Sequence, residues 1–204
     1  IMVEETTSMN KIVIVPDACK NITKEEVDTL KESIGNYEYL LTQLETNMSS
    51  IEEVCSLAYE NGVKIILNPA PVTEISDELY KKISIITPNE VEAKELTGIE
   101  IKTEKDAETA ASILMEKGVE TVIITLGEKG VFVKSKEESY ILPAEKVEAV
   151  DTTGAGDAFN GGLVCALSEG LCLKDAVHFA NVVAGLSVTK MGAAPSMPCK
   201  CEIM

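Results

Sequence analysis

Asp151-Thr152-Thr153-Gly154-Ala155-Gly156-Asp157-Ala158-Phe159-Asn160-Gly161-Gly162 is the stretch on which the reading of this chain turns. It follows a short apolar run at 146–150 and opens an apolar helix expected over 155–168. Two glycines at a strand-to-helix turn let another group approach the backbone closely. The first N–H groups of a helix lack partners inside it and lie at the positive end of its dipole, so such a turn suits an anion. Two familiar versions are excluded by spacing. Phe159 stands where a GxGxxG dinucleotide fingerprint needs its third glycine, and no Gly-Lys-Ser/Thr follows, as a P-loop requires. On residues alone the turn has two readings, an anion cradle or a pair of glycines serving only tight packing.

Upstream, the same alternation of strand and helix repeats. Strands are expected at 1–3 and 11–15, joined by a polar turn, and then at 39–42, 63–67, 83–87 and 119–125. Shorter strands near a sheet edge are expected at 130–134, 139–142 and 146–150. Thr23-x-x-Glu26 reads as a capping box opening a helix that stops at Gly35, and Ser50-x-x-Glu53 opens another closed by Asn61-Gly62. Helices at 90–97 and 104–117 end at Gly98 and Gly118, and a last long one is expected over 173–190. Apolar strands that do not alternate imply burial on both faces. The fold class is therefore α/β, a doubly wound, mostly parallel sheet flanked by helices. Ligands of such sheets bind at the carboxyl ends of the strands. Thr42, Asn68, Thr87, Thr125 and Asp151 closely follow apolar strands, which puts Glu45, Asn89, Glu92, Gly127 and Asp157 along one rim.

At 204 residues and 45% hydrophobic, the chain holds material for one packed core and is short for two full domains. A net charge of -16 argues against nucleic acid as a partner and reads first as solubility. A pocket of backbone N–H groups can still hold a phosphate in that negative field. The six cysteines form no CxxC pair and His178 is the lone histidine, so no zinc site is suggested. Cys55 and Cys165 fall in helical apolar patterns and are expected as buried, reduced thiols, and Cys199-x-Cys201 reads as incidental. Free thiols, no apolar run of membrane-spanning length and no signal peptide point to a cytoplasmic protein with no membrane partner.

The full string from Asp151 to Gly162 closely resembles the C-terminal signature of the ribokinase-like carbohydrate kinases, also called the phosphofructokinase-B family. The resemblance implies an ATP-dependent sugar kinase. In it Gly154, Ala155, Gly156 and Asp157 form an anion hole over the transferring phosphoryl group, and Asp157 takes the proton from the sugar hydroxyl. Thr87-Pro88-Asn89-Glu90-Val91-Glu92 resembles the family's Asn-x-x-Glu element, which organises Mg2+ and the nucleotide phosphates; Asn89 and Glu92 match it. Without that resemblance the pair reads as an Asn cap with a surface Glu. Thr125-Leu126-Gly127-Glu128-Lys129-Gly130 is similar to the segment lining the ATP site, and Asn181 falls where the family contacts adenine.

Leu41-Thr42-Gln43-Leu44-Glu45 looks like the strand end whose glutamate contacts ribose hydroxyls in the ribose-specific members, and Asn68-Pro69-Ala70-Pro71 resembles their following turn. Val188 to Ser196 is similar to their monovalent-cation loop. Asp151, Thr153, Ser187, Lys190, Gly192 and Ser196 match positions lining a K+ ion held largely by carbonyls. The implied reaction is transfer of the ATP γ-phosphoryl to the 5-hydroxyl of D-ribose. The alternatives are another sugar or nucleoside of the same family, or a non-catalytic nucleotide-binding fragment. The resemblance runs nearly end to end, but the family's N-terminal third is expected to be missing before Ile1. On this reading 1–15 is the remnant of a β lid, 16–204 is the nucleotide- and phosphate-binding domain, and the lid is where a homodimer would form.

Overall fold

The computed structural model describes Met2–Val3, Asn10–Lys11, Val15 and Asp17–Ile203. In chain order it contains β1 (Met2–Val3), β2 (Asn10–Lys11), α1 (Lys24–Asp28), β3 (Tyr39–Thr42), α2 (Met48–Glu60), β4 (Lys64–Leu67), α3 (Asp77–Tyr80) and β5 (Ile85–Ile86). There follow α4 (Glu90–Thr97), α5 (Glu104–Glu116), β6 (Thr121–Thr125), β7 (Val131–Lys134), β8 (Ser139–Leu142), α6 (Ala155–Ser168), α7 (Leu173–Ser187) and α8 (Lys200–Ile203). A six-stranded sheet runs in the order β3-β4-β5-β6-β7-β8, and its first three pairings are parallel. The expected α/β fold with a mostly parallel sheet is the one observed.

The contacts divide the chain into two compact units. The sheet unit comprises Pro16–Leu126 and Phe132–Ile141; the C-terminal unit comprises Ile1–Val15, Gly127–Val131 and Leu142–Met204. In the sheet unit, Ile65, Ile66 and Leu67 of β4 and Val122, Ile123 and Ile124 of β6 are all fully buried. Consecutive burial of this kind means that both faces of the sheet are covered. Ile51, Cys55 and Ala58 on α2, and Ala107, Ala110, Ala111 and Leu114 on α5, supply helical stripes at i, i+3 and i+4 to that core. In the C-terminal unit α6 packs on α7 with little separation. A Cβ at Gly162 would stand 3.1 Å from Ala180 Cα and from Val183. In the same unit β1 and β2 pair antiparallel, Met2 with Lys11 and Val3 with Asn10.

Several expected boundaries move. The helix opened by Thr23 and Glu26 has its capping box, but regular helix stops at Asp28 and not at Gly35. The Thr29 hydroxyl bonds back to the Glu26 carbonyl at 2.6 Å, and the chain continues in tight three-residue turns. α2 begins at Met48 with Asn47 as its N-cap, so Ser50 lies inside the helix, where its hydroxyl donates to the Ile22 carbonyl. The expected strand at 146–150 has no ladder partner and is not a strand. The last long helix ends at Ser187. Of the expected strand at 11–15, residues 12–14 lie outside the described residues and Val15 is in no strand. Cys55 is buried as expected and its thiol is pushed up to about 12 by desolvation, but Cys165 is exposed. No described helix is long and apolar enough to cross a membrane.

Candidate active site

The start of α6, in the C-terminal unit, is open. Its N-cap is Gly154, left-handed at φ +79°, so no side chain caps the helix, and Asp157 sits exposed at the third helical position. The two glycines of this turn differ in kind. A Cβ on Gly154 would stand 3.3 Å from Ala193 Cβ and from Met197 Cε, and the positive φ disfavours any other residue. Gly156 is exposed, has ordinary helical geometry, and a Cβ there would meet nothing within 4 Å. Among the described residues nothing in the packing calls for a glycine at 156.

Beside this turn lies Asp151, only 2% exposed. Its Oδ1 accepts the Thr153 N–H at 2.9 Å and its Oδ2 accepts the Gly192 N–H at 2.9 Å. The Thr153 hydroxyl, then the Gly192 and Thr153 amides, hold its pKa below the usual carboxylate value. That hydroxyl is buried and leans on the carboxylate without a hydrogen bond of ordinary geometry, which leaves its oxygen short of a partner. Ser187 and Ser196 are buried as well; their hydroxyls donate to the Ala184 carbonyl at 2.8 Å and the Ala193 carbonyl at 2.7 Å, keeping oxygen lone pairs available. A buried carboxylate beside the orphaned Thr153 hydroxyl fits a hard cation bound through oxygen. Lys190 turns its ammonium away to Glu202 Oε1 at 2.7 Å, so only its backbone is left to offer such an ion.

In the sheet unit the ends of β3, β4, β5 and β6 are tied to one another by backbone bonds, whereas Asp151 follows no strand and Gly127 and Asp157 belong to the C-terminal unit. Asn68 N donates to the Thr42 carbonyl, Thr87 N to Leu67 and Thr125 N to Pro88, and Asn89 bridges Thr125. Asn89 caps α4. Its Oδ1 accepts from Val91 N and Glu92 N, each at 2.9 Å, and Glu92 Oε2 returns the favour at Asn89 N, 2.8 Å away. Glu92 is half-buried, and desolvation lifts its pKa above the ordinary value against the opposing Asn89 N–H. A cation would relieve that desolvation. Among the described residues no three His, Cys, Asp or Glu converge on a metal position. A divalent ion here fits only as Mg2+ does when one carboxylate shares it with water and phosphate. Glu45 is exposed in a loop pinned by Leu44 N on the Ala70 carbonyl at 2.9 Å. Asn68 is spent on the fold, its Nδ2 donating to the Thr87 carbonyl.

Thr125 closes β6 and Leu126 follows it in the sheet unit, and Gly127, Glu128 and Lys129 form an exposed turn assigned to the C-terminal unit. Gly130 ends that turn at φ +101°, where a Cβ would lie 2.0 Å from the Leu142 carbonyl oxygen and 2.6 Å from Ala144 N. Only glycine fits. Asn181, on α7, is buried and its Nδ2 donates to the Pro143 carbonyl at 2.8 Å. Gly130 and Asn181 thus converge on the 142–144 backbone, which carries no motif and which the sequence reading passed over.

The model of the pfkB family carbohydrate kinases matches residues 1–200. The chain belongs to this family. Among relatives of the pfkB chain is the ribokinase of Haemophilus influenzae, 46% identical over 97% of this chain and 65% of the relative. Two solved structures are similar: the ribokinase of Thermotoga maritima (TM-score 0.84, 38% identity, 97% of this chain and 65% of that one) and the Arabidopsis thaliana ribokinase complexed with ribose and ATP (TM-score 0.85, 30% identity, 96% and 64%). The pfkB chain therefore spans a little under two thirds of the length of these relatives.

Proposed function

We propose that this chain is the nucleotide- and phosphate-handling part of an ATP-dependent kinase acting on the 5-hydroxyl of D-ribose. The observation that carries the reading is the uncapped start of α6, with a glycine at 156 that the fold does not require. First-turn N–H groups there would receive the charge that develops on the γ-phosphoryl oxygens. The sugar hydroxyl oxygen forms the new bond to phosphorus, the bond to the leaving ADP oxygen breaks, and Asp157 takes the hydroxyl proton. Its exposure at the third helical position leaves it open to a substrate. Glu45 would hold ribose hydroxyls. The turn from Thr125 to Gly130 and the wall fixed by Asn181 would seat ATP, with Asn181 acting on adenine through the Pro143 backbone it holds.

Asn89 and Glu92 are the residues that would hold Mg2+, the carboxylate by charge and the asparagine by keeping it in place, and the ion would supply positive charge to the nucleotide phosphates. Asp151, Thr153, Ser187, Lys190, Gly192 and Ser196 would hold K+, which would supply positive charge to the phosphate-binding turn. Residues 1–15 are assigned to the remnant of a β lid and 16–204 to the α/β domain, with a homodimer forming through the lid. All cysteines are free, which fits residence in a reducing cytoplasm.

ADP release measured with ribose, fructose and adenosine, with and without K+, tests the reading on this chain and on one extended to the relatives' full length. Ribose-dependent, K+-stimulated release is expected. Release with fructose or adenosine alone would transfer the assignment to another member of the family. Nucleotide binding without release in the longer chain would leave a binding module.

A further inference from the structure

The short helix α8 touches two places that matter to the Asp151 loop. Lys200 Nζ meets Glu169 Oε1 at 2.6 Å, and Glu169 is the residue that ends α6. Glu202 uses both carboxylate oxygens: Oε2 accepts the Cys199 N–H at 2.8 Å, and Oε1 takes the Lys190 ammonium at 2.7 Å. Lys190 and Glu202 are twelve positions apart, so their pair closes a loop at its base. Inside that loop are Gly192, whose N–H holds Asp151, the buried Ser196, and Ala193 and Met197, which bear on Gly154. Closing the ends of a loop removes conformations that its interior would otherwise sample.

We infer that α8 is a strap, with Glu202 a positioning residue that keeps the 190–197 loop seated on both Asp151 and Gly154. The strap is anchored to the end of α6 opposite the glycine turn, so the loop is held against the helix whose start it supports. Both ion pairs are about half-exposed, and the effect expected of such a pair is about two- to five-fold in an equilibrium. A strap of this strength tunes the loop without being needed for folding.

The test measures thermal midpoints against KCl, with tetramethylammonium chloride keeping ionic strength constant; this arm rests on the K+ reading of the Asp151 site. Glu202→Gln can still accept the Cys199 N–H but loses the ion pair. It should raise the half-saturating K+ concentration about two- to five-fold and leave the midpoint at saturation unchanged. Lys190→Met should do the same, and the double variant should do no more than either single one, because each removes the same pair. Glu78→Gln, which breaks a more exposed surface pair with Lys81, should leave the K+ titration alone. Parental half-saturation in Glu202→Gln, or additive effects in the double variant, would overturn the inference. A parent whose midpoint ignores K+ would defeat the cation reading instead, and amide exchange across 190–197 then decides the strap. Faster exchange in Glu202→Gln than in the parent supports it, and equal exchange overturns it.

Discussion

Helices α4 and α6 both carry an acid at their third position, yet their starts are built in opposite ways. At α4 the chain closes on itself: Asn89 takes two N–H groups and Glu92 answers at the Asn89 amide. Thr103 with Asp106 closes α5 and Thr23 with Glu26 closes α1 in the same reciprocal manner. At α6 the cap is Gly154, which has no side chain to give, and Asp157 stands exposed behind an exposed glycine. A closed start uses up its donors on stability. An open one forgoes the side-chain cap; at α6 the Ala155 N–H turns back to the Thr152 carbonyl at 3.2 Å and no N-cap side chain takes part.

The contrast can be broken in graded ways. The largest effect is expected at Asp157: Asp157→Asn should lower ribose-dependent ADP release about a thousandfold while calorimetry finds nucleotide affinity unchanged. Equal turnover in variant and parent would remove the base from the mechanism. Gly156→Ala comes next. A methyl group meets nothing in the protein, and alanine suits a helix better by up to about 1 kcal/mol, so the thermal midpoint should hold or rise. Turnover should nevertheless fall about a hundredfold as the methyl displaces the phosphoryl group. Loss of stability together with activity would mean that Gly156 serves packing after all.

At the closed start the balance reverses. Asn89→Ala should cost about 1 kcal/mol, seen as a drop of a few degrees in thermal midpoint, whatever its effect on turnover. The smallest expected effect is in pH. The folded pKa of Glu92 is raised above its ordinary 4.5, so its contribution to stability is full below that value and is lost as pH rises through the folded pKa. Glu92→Gln keeps an acceptor for the Asn89 N–H and should flatten that decline just above pH 4.5 in denaturant titrations. Asp151 has the opposite sign. Its folded pKa lies below 3.8, and its contribution is present above that value and lost as pH falls through the folded one. A Glu92→Gln variant with the parent's pH slope would show that burial of this carboxylate has no energetic consequence.

What the residues alone could tell followed from how local each feature is. α6 runs from Ala155 to Ser168 and α4 from Glu90 to Thr97 with a left-handed Gly98 behind it, as read from pattern and stop signals. Ser50-x-x-Glu53 misled because the helix starts earlier, with Asn47 at the N-cap position and its side chain bonded across to the Ile22 backbone without capping; Ser50 is committed to the Ile22 carbonyl, a contact 28 positions away. Residues 146–150 carry a strand-like composition, but a strand needs a neighbouring ladder, and there the amides of Val150 and Asp151 share the Val188 carbonyl instead. The site divides in the same manner. The Asp151–Asp157 string stood out through its resemblance to the family signature, because glycine spacing alone left tight packing as an equal reading. The hold of Asn181 on Pro143 and of Glu202 on Lys190 depends on which loops meet, and no spacing records that.

Gly156 also bears on how such a chain would change over many generations. Gly130 is barred from variation by the Leu142 carbonyl, Gly162 by α7 and Gly154 by its own backbone angle; each is defended by the fold whatever the protein does. Gly156 has no such internal defence. In a lineage that ceased to bind phosphate it should be the first of the four to drift, and its replacement would record the loss of the chemistry while the architecture still looked intact.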